Sequence, residues 1–396
     1  MLELLAVILI ISFVISYLIA RDIFHPAVIV SGLWMVLINM YVYIDHPLYH
    51  LSDKFCVALS LWVLPFVVLS LLGSRLFLST GVYEYYEDPP KIDMYIKLYP
   101  YMILFSFLFI AGVLFYAGYS FFDIRNFLVE ESNTFPPPLK LLFYISTFFI
   151  VYVAYGMLNY EYLGLKKIVI LLLCLFIVSI FKSNKTSFLQ LFIMLIFIYK
   201  YKFGSIKIKN VLGFVVGTAL FLILVTINRG DLDTLSGGDN PLLTFFYVYL
   251  LSPLPSFDLL LNDSTVLAQG ASGSGTFVFF YNVFNALGAN FSITELGTWV
   301  SVPVPNNVFT VMRGYYLDWG MLGIFIMSCV MAVIWAWLYA RQVKNDRLYV
   351  LFYALMVSAL TFQSFGDYFW YNLSNTIQYF VFAYILTRRF SVSIDE

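Results

Sequence analysis

The chain has 396 residues, of which 62% are hydrophobic and only 11% are charged, and its mean hydropathy is +0.87. A water-soluble domain carries roughly 25% charged residues, so this composition excludes a soluble globular fold. The formal net charge of −1 gives no reason to expect a nucleic-acid partner. The three cysteines (Cys56, Cys174 and Cys329) all fall in apolar segments, which favours small core residues over a disulfide framework.

Continuous apolar runs of about 14 to 20 residues recur along the chain, each near the length that crosses a hydrocarbon core. Because the runs do not alternate in polarity, they predict an all-α polytopic membrane protein rather than a β-barrel. We expect one transmembrane domain over residues 1–396 with about eleven spans, within a range of ten to thirteen. The expected spans are 2–20, 27–44, 55–73, 98–118, 140–158, 168–181, 187–200, 211–227, 321–340, 348–364 and 372–387. The first run lacks a basic leader and a cleavage site, so we expect it to be retained.

The loops between these spans assign the two faces of the membrane, because an excess of Lys and Arg marks the cytoplasmic side. With the N-terminus outside, the inner loops hold 15 of the 22 Lys and Arg residues. The long segment 228–320, which carries about seven carboxylates, then lies on the outer face. Within it, Leu242–Leu261, interrupted by Pro253 and Pro255, and Thr276–Leu287 are expected to form interfacial helices. The glycine-rich run Gly270–Gly275 is expected to be a flexible connector.

Two groups of cations lie on the predicted outer side. Lys182 and Lys185 occupy a turn between two short apolar arms of about 20 Å each, which predicts a position below the outer surface. Such a pair needs a water-filled or anionic pocket, unless both side chains snorkel to the headgroups. Arg229 directly follows an expected span, where positive residues are disfavoured, so it indicates an anionic ligand or a pair with Asp231 or Asp233.

A third candidate region runs from residue 302 to residue 320. Its hydrogen-bonding groups and its rings for stacking on sugars are Asn306, Asn307 and Thr310, and Tyr315, Tyr316 and Trp319. Arg313 and Asp318 lie five residues apart, just before an expected span. An interfacial aromatic belt with a helix cap explains the aromatic residues equally well. It explains the clustered amides and charges less well.

Several chemistries are excluded or weakened by the residues present. The only histidines are His25, His46 and His50, so the long outer segment cannot hold a His-based triad, and a His/Cys zinc site is not expected. The sequence contains no P-loop and no dinucleotide-binding glycine motif in a strand–helix context. The near absence of ionisable residues within the spans argues against a proton-coupled transporter. We expect no metal and no cofactor.

Three short motifs resemble those of the Wzy-type O-antigen and capsule polymerases. The block at 305–323 reads PNNVFT and then RGYYLDWGMLG, which is similar to a P-x-N-V-aromatic-T segment followed by Asp-aromatic-Gly-x-x-Gly. SNKTSFLQLF at 183–192 is similar to a turn shared with O-antigen ligases, although Lys185 replaces the usual arginine. NRGD at 228–231 is the third motif. The resemblance covers roughly residues 180–325.

The resemblance implies glycosyl transfer at the outer face of the bacterial inner membrane. A growing glycan on undecaprenyl pyrophosphate is the donor, and the hydroxyl of a second lipid-linked repeat unit attacks its anomeric carbon. The catalytic candidates that would bind the pyrophosphate are Arg313, Arg229 and Lys185. Asp318 is the first candidate for the base, and Asp231 and Asp233 are the next candidates. The substrate-binding candidates are Asn306, Asn307, Thr310, Tyr315, Tyr316 and Asp231. Membrane lipids and a chain-length regulator protein are further expected partners.

Three other functions compete with this interpretation. A lipid-linked oligosaccharide flippase would show a charged central cavity and pseudo-repeated halves, whereas this chain has one asymmetric outer segment. An O-antigen ligase performs the same chemistry with a lipid A-core acceptor, but the loop histidine expected of ligases is absent. A membrane acyltransferase would need a histidine within the bundle.

The charge asymmetry generates a topological prediction. A reporter fused at Gly238 or Gly273 is expected to be active only as an outer-face reporter, and a fusion at Lys207 only as a cytoplasmic one. Paired alkaline phosphatase and fluorescent-protein fusions measure both. Labelling of the 228–320 segment from the cytoplasm would overturn the topology and the mechanism together.

Overall fold

The computed structural model describes residues 1–79, 91–118, 124, 127, 135–182, 185–204, 249–263, 270–294, 299–302 and 305–388, without the side chains of Lys185 and Ser187. These residues form helices and one short antiparallel strand pair, β1 (Val300–Ser301) with β2 (Pro305–Asn306). The helices are α1 (Leu2–Ala20), α2 (Pro26–Tyr43), α3 (Asp53–Ser79), α4 (Ile92–Ala117), α5 (Pro137–Leu158), α6 (Tyr160–Leu163), α7 (Leu165–Phe181), α8 (Lys185–Phe203), α9 (Pro253–Asn262), α10 (Val278–Ala286), α11 (Met312–Val343), α12 (Arg347–Met356), α13 (Ser358–Thr361) and α14 (Leu373–Thr387).

Six of these helices are long and apolar enough to cross a membrane, judged by length and composition. They are α1, α2, α3, α4, α5 and α11. The predicted all-α polytopic membrane fold is therefore confirmed. The count of eleven spans stays a prediction, because the expected span at 211–227 lies outside the described residues. The other expected spans correspond to α7, α8, α12 with α13, and α14, which are not among these six helices.

The described helices fall into two compact units. The first contains α1 to α3, α9 to α11 and residues 359–374, and α11 packs along α3 while α1 packs against α2 and α3. The second contains α4 to α8, α12 and most of α14. In the second unit the rings of Tyr95 and Tyr152 stack with centroids 4.0 Å apart, and Arg388 forms an ion pair of 2.8 Å with Asp346.

The core of the first unit depends on one glutamine. Gln363 Oε1 accepts hydrogen bonds from the indole N–H groups of Trp34 at 3.1 Å and Trp62 at 2.9 Å. Both indole rings are fully buried, so their N–H groups need this acceptor. The main-chain carbonyl of Gln363 accepts from the Val311 amide at 2.7 Å, directly before α11. The segment 359–374 is thereby fixed to α2, α3 and α11.

Helix α11 is interrupted near its start. Gly320 has φ 63° and ψ −150°, a conformation that favours glycine, so residues 312–319 form a short separate stretch of helix. The sequence predicts a span beginning at 321, which is where the long apolar part follows this break. The preceding turns carry the candidate site residues.

The helix predicted around the two prolines is placed differently from the expectation. Helix α9 begins at Pro253, a position where the missing N–H costs nothing, and most of its residues are buried against α3 and α11. It is therefore a core helix of the first unit over its described length. Helix α10, in contrast, has no buried residue, and its position at the membrane interface stays a prediction.

Within the first unit, residues predicted for the outer face of the membrane contact each other, and so do residues predicted for the inner face. At the start of α3, the Ser52 amide donates to Asp258 of α9 at 2.8 Å, and both residues belong to predicted outer loops. At the other end of α3, Lys344 Nζ donates to the Phe77 carbonyl at 2.8 Å, and both belong to the predicted inner side. The predicted outer segments therefore meet at one end of α3 and the inner segments at the other.

Removing the shared acceptor generates a stability prediction. Gln363→Leu would leave two buried indole N–H groups unpaired, at a cost of about 1–3 kcal/mol for each group. The midpoint of thermal unfolding of the detergent-solubilised protein is expected to fall, whereas Gln363→Glu, which in its neutral form keeps an acceptor oxygen, should retain most of the stability. An unchanged midpoint for Gln363→Leu would contradict this role.

Candidate functional site

A cavity of 280 Å³ lies in the first unit beside the first turns of α11. Three segments line it: the turn at Gly275, residues between 307 and 315, and residues between 365 and 372. Four residues that the sequence predicts for the site are among its lining residues, namely Asn307, Thr310, Arg313 and Tyr315. The structure thus brings together a cation, a hydroxyl, an amide and a phenol around one cavity.

Tyr315 connects the helix to the opposite segment. Its ring is fully buried and stacks on Trp62 of α3, with centroids 5.5 Å apart and an interplanar angle of 26°. Its hydroxyl donates a hydrogen bond of 2.7 Å to Asp367. The sequence predicts stacking of Tyr315 on a sugar, but the ring already stacks inside the protein, and its hydroxyl binds Asp367.

Asp367 is a cavity residue that sequence reasoning missed. Its Oδ1 accepts from the Phe369 amide at 2.8 Å and the Trp370 amide at 3.0 Å, while Oδ2 accepts from Tyr315. Burial raises the pKa of Asp367 above its usual value, and these hydrogen bonds oppose that effect because they favour the ionised form. The predicted topology contained a signal for this residue. Counting spans from the 228–320 segment places the turn between expected spans 348–364 and 372–387 on the same face of the membrane as that segment.

Arg313 and Thr310 supply the polar groups from the α11 side. The Arg313 guanidinium lies 4.9 Å from the centre of the Phe309 ring, which supports the plane of the cation. The Thr310 hydroxyl is buried and, within the part of the chain that the structure describes, makes no hydrogen bond. A buried hydroxyl without a partner costs about 1–3 kcal/mol, so this group is suited to bind a ligand that enters the cavity.

Asp318 has a different environment from the one predicted. Its two carboxylate oxygens accept from the Gly275 amide at 3.1 Å and the Thr276 amide at 2.7 Å. A Cβ on Gly314 would lie 2.6 Å from the Gly275 carbonyl oxygen, so this close approach requires glycine. Asp318 therefore holds the turn at 275 against α11, and it is not among the cavity-lining residues. The glycine-rich run, expected to be a flexible connector, is fixed at this end.

Two further predicted residues also serve internal contacts. The buried amide of Asn306 donates to Ser256 Oγ at 2.7 Å and to the Val308 carbonyl at 2.6 Å. The Tyr316 hydroxyl donates to the Leu261 carbonyl at 3.3 Å. These contacts connect residues 306–316 to α9, which places the cavity segments near the predicted outer end of α3. Their roles in binding substrate stay predictions.

Most of the remaining predicted site residues lie outside the described residues. Arg229, Asp231 and Asp233 lie outside the described residues. Lys185 begins α8, but its side chain also lies outside the description. Lys182 is half-buried at the C-terminal end of α7, in the second unit.

Comparison with known proteins gives a consistent set of matches. The sequence profile of the family described as "Putative O-antigen polymerase" matches residues 138–362. The chain is also 25% identical over 382 residues to a protein of Escherichia coli (strain K12) named "Putative O-antigen polymerase", and the alignment covers 94% of each chain. No solved structure matches the chain. The profile match includes Arg313 and ends just before the segment that holds Asp367.

Proposed function

This chain belongs to the O-antigen polymerase family, and we propose that it joins oligosaccharide repeat units carried on undecaprenyl pyrophosphate at the outer face of the bacterial inner membrane. The product is an O-antigen or a related capsular or exopolysaccharide. The substrates are the lipid-linked glycans themselves, so the reaction uses no nucleotide sugar, metal or cofactor. A chain-length regulator protein and membrane lipids are the further partners of this proposal.

The observation that carries the proposal is the cavity beside Arg313. Its α11 side comes from the same block, 305–323, that resembles the polymerase motifs. Its volume of 280 Å³ is close to the lower end of ligand pockets, about 300–1,000 Å³. A cavity of this size suits the reacting sugar and part of the diphosphate, while the rest of the glycan and the lipid extend outside it.

The charge in the cavity suits the leaving group. Cleavage of the glycosidic bond to the lipid pyrophosphate places additional negative charge on an anion, which a fixed guanidinium stabilises. A preorganised donor of this kind contributes roughly 2.7–4 kcal/mol, or 10²–10³ in rate. Arg313 has a planar fork that binds phosphate oxygens bidentately, and the Phe309 ring beside it restricts its movement. In this proposal Arg229 and Lys185 keep the role that the sequence predicts for them, which is to bind the pyrophosphate.

The arrangement of the loops supports an outer-face location. The cavity segments contact α9 through Tyr316, and α9 contacts Ser52 at the start of α3 through Asp258. All of these residues belong to loops that the charge distribution assigns to the outer side. Lipid-linked repeat units presented there can reach the cavity, with the lipid tail remaining in the bilayer.

Loss of the gene distinguishes the polymerase from its main rival. A deletion strain is expected to carry surface glycan of a single repeat unit, transferred but not extended, as seen on a polysaccharide gel. Loss of a flippase would instead leave no repeat unit outside. Complete absence of surface glycan would therefore contradict polymerisation and favour transport.

The cationic site generates a graded prediction. Arg313→Ala and Arg229→Ala are expected to abolish or strongly shorten the polymer at normal membrane expression, and each Arg→Lys variant should restore it only in part, since lysine keeps the charge but loses the fork. Lys185→Arg should be tolerated and Lys185→Ala should not. Lys182→Ala is expected to have a mild effect.

Lys54→Ala provides a matched control for these variants, because Lys54 is an exposed cation near the start of α3 and does not line the cavity. It is expected to leave the length distribution unchanged on the same gel. Wild-type chain lengths from both Arg→Ala variants would show that these residues serve only topology.

A further inference from the structure

Transfer of a sugar to a hydroxyl releases a proton, and the cavity contains a carboxylate placed to accept it. Asp367 lines the cavity together with Arg313 and Thr310. Asp318, which the sequence favours for this role, accepts from the amides of Gly275 and Thr276 and is not among the residues that line the cavity. Of these two acids, only Asp367 faces the space where a substrate would lie.

The hydrogen bonds of Asp367 fix its carboxylate in one orientation. Two main-chain amides from its own turn hold Oδ1, and Tyr315 from α11 holds Oδ2. Each carboxylate oxygen has about two acceptor positions. Within the described residues Oδ2 accepts one hydrogen bond, from Tyr315, which leaves a position for an incoming hydroxyl. Within the described residues, all of these donors are neutral. Asp367 is thus oriented by its neighbours without being neutralised by an ion pair.

We propose that Asp367 is the general base that activates the acceptor hydroxyl, and that Tyr315 is the residue that positions it. The inference rests on the proposed function, because it presumes that a sugar hydroxyl is the nucleophile. The unpartnered hydroxyl of Thr310 then binds a second polar group of the substrate in the same cavity.

The proposed step forms one glycosidic bond, breaks another and moves one proton. The acceptor oxygen forms a bond to the anomeric carbon of the donor sugar, and its proton moves to Asp367 Oδ2. The bond between the anomeric carbon and the pyrophosphate oxygen breaks, and the electron pair leaves with the lipid pyrophosphate beside Arg313. The protonated Asp367 then returns its proton to water before the next acceptor binds.

The surroundings of Asp367 determine how activity depends on pH. The titratable and charged groups that line the cavity with it are Arg313 and Tyr315 from α11 and Tyr368 and Tyr371 from its own segment. Burial raises the pKa of the carboxyl, whereas the hydrogen bond from Tyr315 lowers it. A base acts only when it is ionised, so activity falls as the pH drops through this pKa. Removing the Tyr315 hydroxyl raises the pKa further and moves that fall to higher pH.

The test uses purified full-length protein in proteoliposomes and lipid-linked repeat units extracted from the deletion strain. Asp367→Asn preserves the shape of the side chain but not its basicity, so kcat is expected to fall about 10²–10⁴-fold with KM nearly unchanged. Tyr315→Phe is expected to keep measurable activity and to shift the acid limb of the kcat/KM profile to higher pH. Because Tyr315→Phe retains the ring that packs on Trp62, it tests the proposal even if Asp367→Asn is poorly folded.

Asp258→Asn is the matched control, since Asp258 is a buried carboxylate of the same unit that binds Ser52 and does not line the cavity. It should keep the wild-type kcat and pH profile per folded molecule. A folded Asp367→Asn variant with wild-type kcat, or a Tyr315→Phe variant with an unshifted acid limb, would overturn the assignment of the base. If the base assignment fails in this way while Arg313→Ala is inactive, the proposed function is still supported. Failure of the wild-type protein to extend the units would instead overturn the proposed function itself.

Discussion

The hydrogen bond from the Tyr315 hydroxyl to Asp367 joins two segments that are far apart in sequence and that together form the cavity. A carboxylate close to the hydrocarbon region of a membrane protein is costly unless hydrogen bonds replace its hydration. The first unit meets this requirement with one phenol and two main-chain amides. The shape of the cavity follows, because the phenol comes from α11 and the amides come from the turn before α14.

The surrounding packing keeps that hydrogen bond in place. Trp62 contacts Tyr315 and the segment that leads to Asp367, because its ring stacks on Tyr315 and its indole N–H donates to Gln363. The break at Gly320 separates the first turns of α11 from its long apolar part. Residues 312–319 are consequently positioned by contacts with α3, α9 and the turn at Gly275 rather than by the direction of the main helix. The packed helices of the first unit thereby support a polar site near the start of α3.

Hydropathy predicts the described helices well because the bilayer fixes their length. The expected span 2–20 coincides with α1, and the ends of the expected spans 27–44, 55–73 and 140–158 differ by at most six residues from those of α2, α3 and α5. The block at 305–323 also leads correctly to several cavity residues, since Arg313 and Thr310 lie on one short stretch of chain. Periodicity and composition are sufficient for features that are this local.

The sequence alone could not show which aspartate lines the cavity. Asp318 lies five residues from Arg313 and looks suitable, but it binds two amides of the turn at Gly275 and does not line the cavity. Asp367 is separated from Tyr315 by 52 positions, and only the folded chain brings them together. Likewise, nothing in the sequence of the glycine-rich run shows that an aspartate from α11 binds its amides. Long-range polar contacts of this kind depend on tertiary packing, which a single sequence does not reveal.

In the proposed reaction the lipid pyrophosphate and the reacting sugar occupy the cavity beside Arg313 and Asp367. This placement can be tested with a cryo-EM structure of the Asp367→Asn variant bound to a lipid-linked repeat unit in nanodiscs. We expect density for the diphosphate within hydrogen-bonding distance of the Arg313 guanidinium and a sugar ring against Thr310. A repeat unit bound elsewhere, with this cavity holding only solvent, would contradict it.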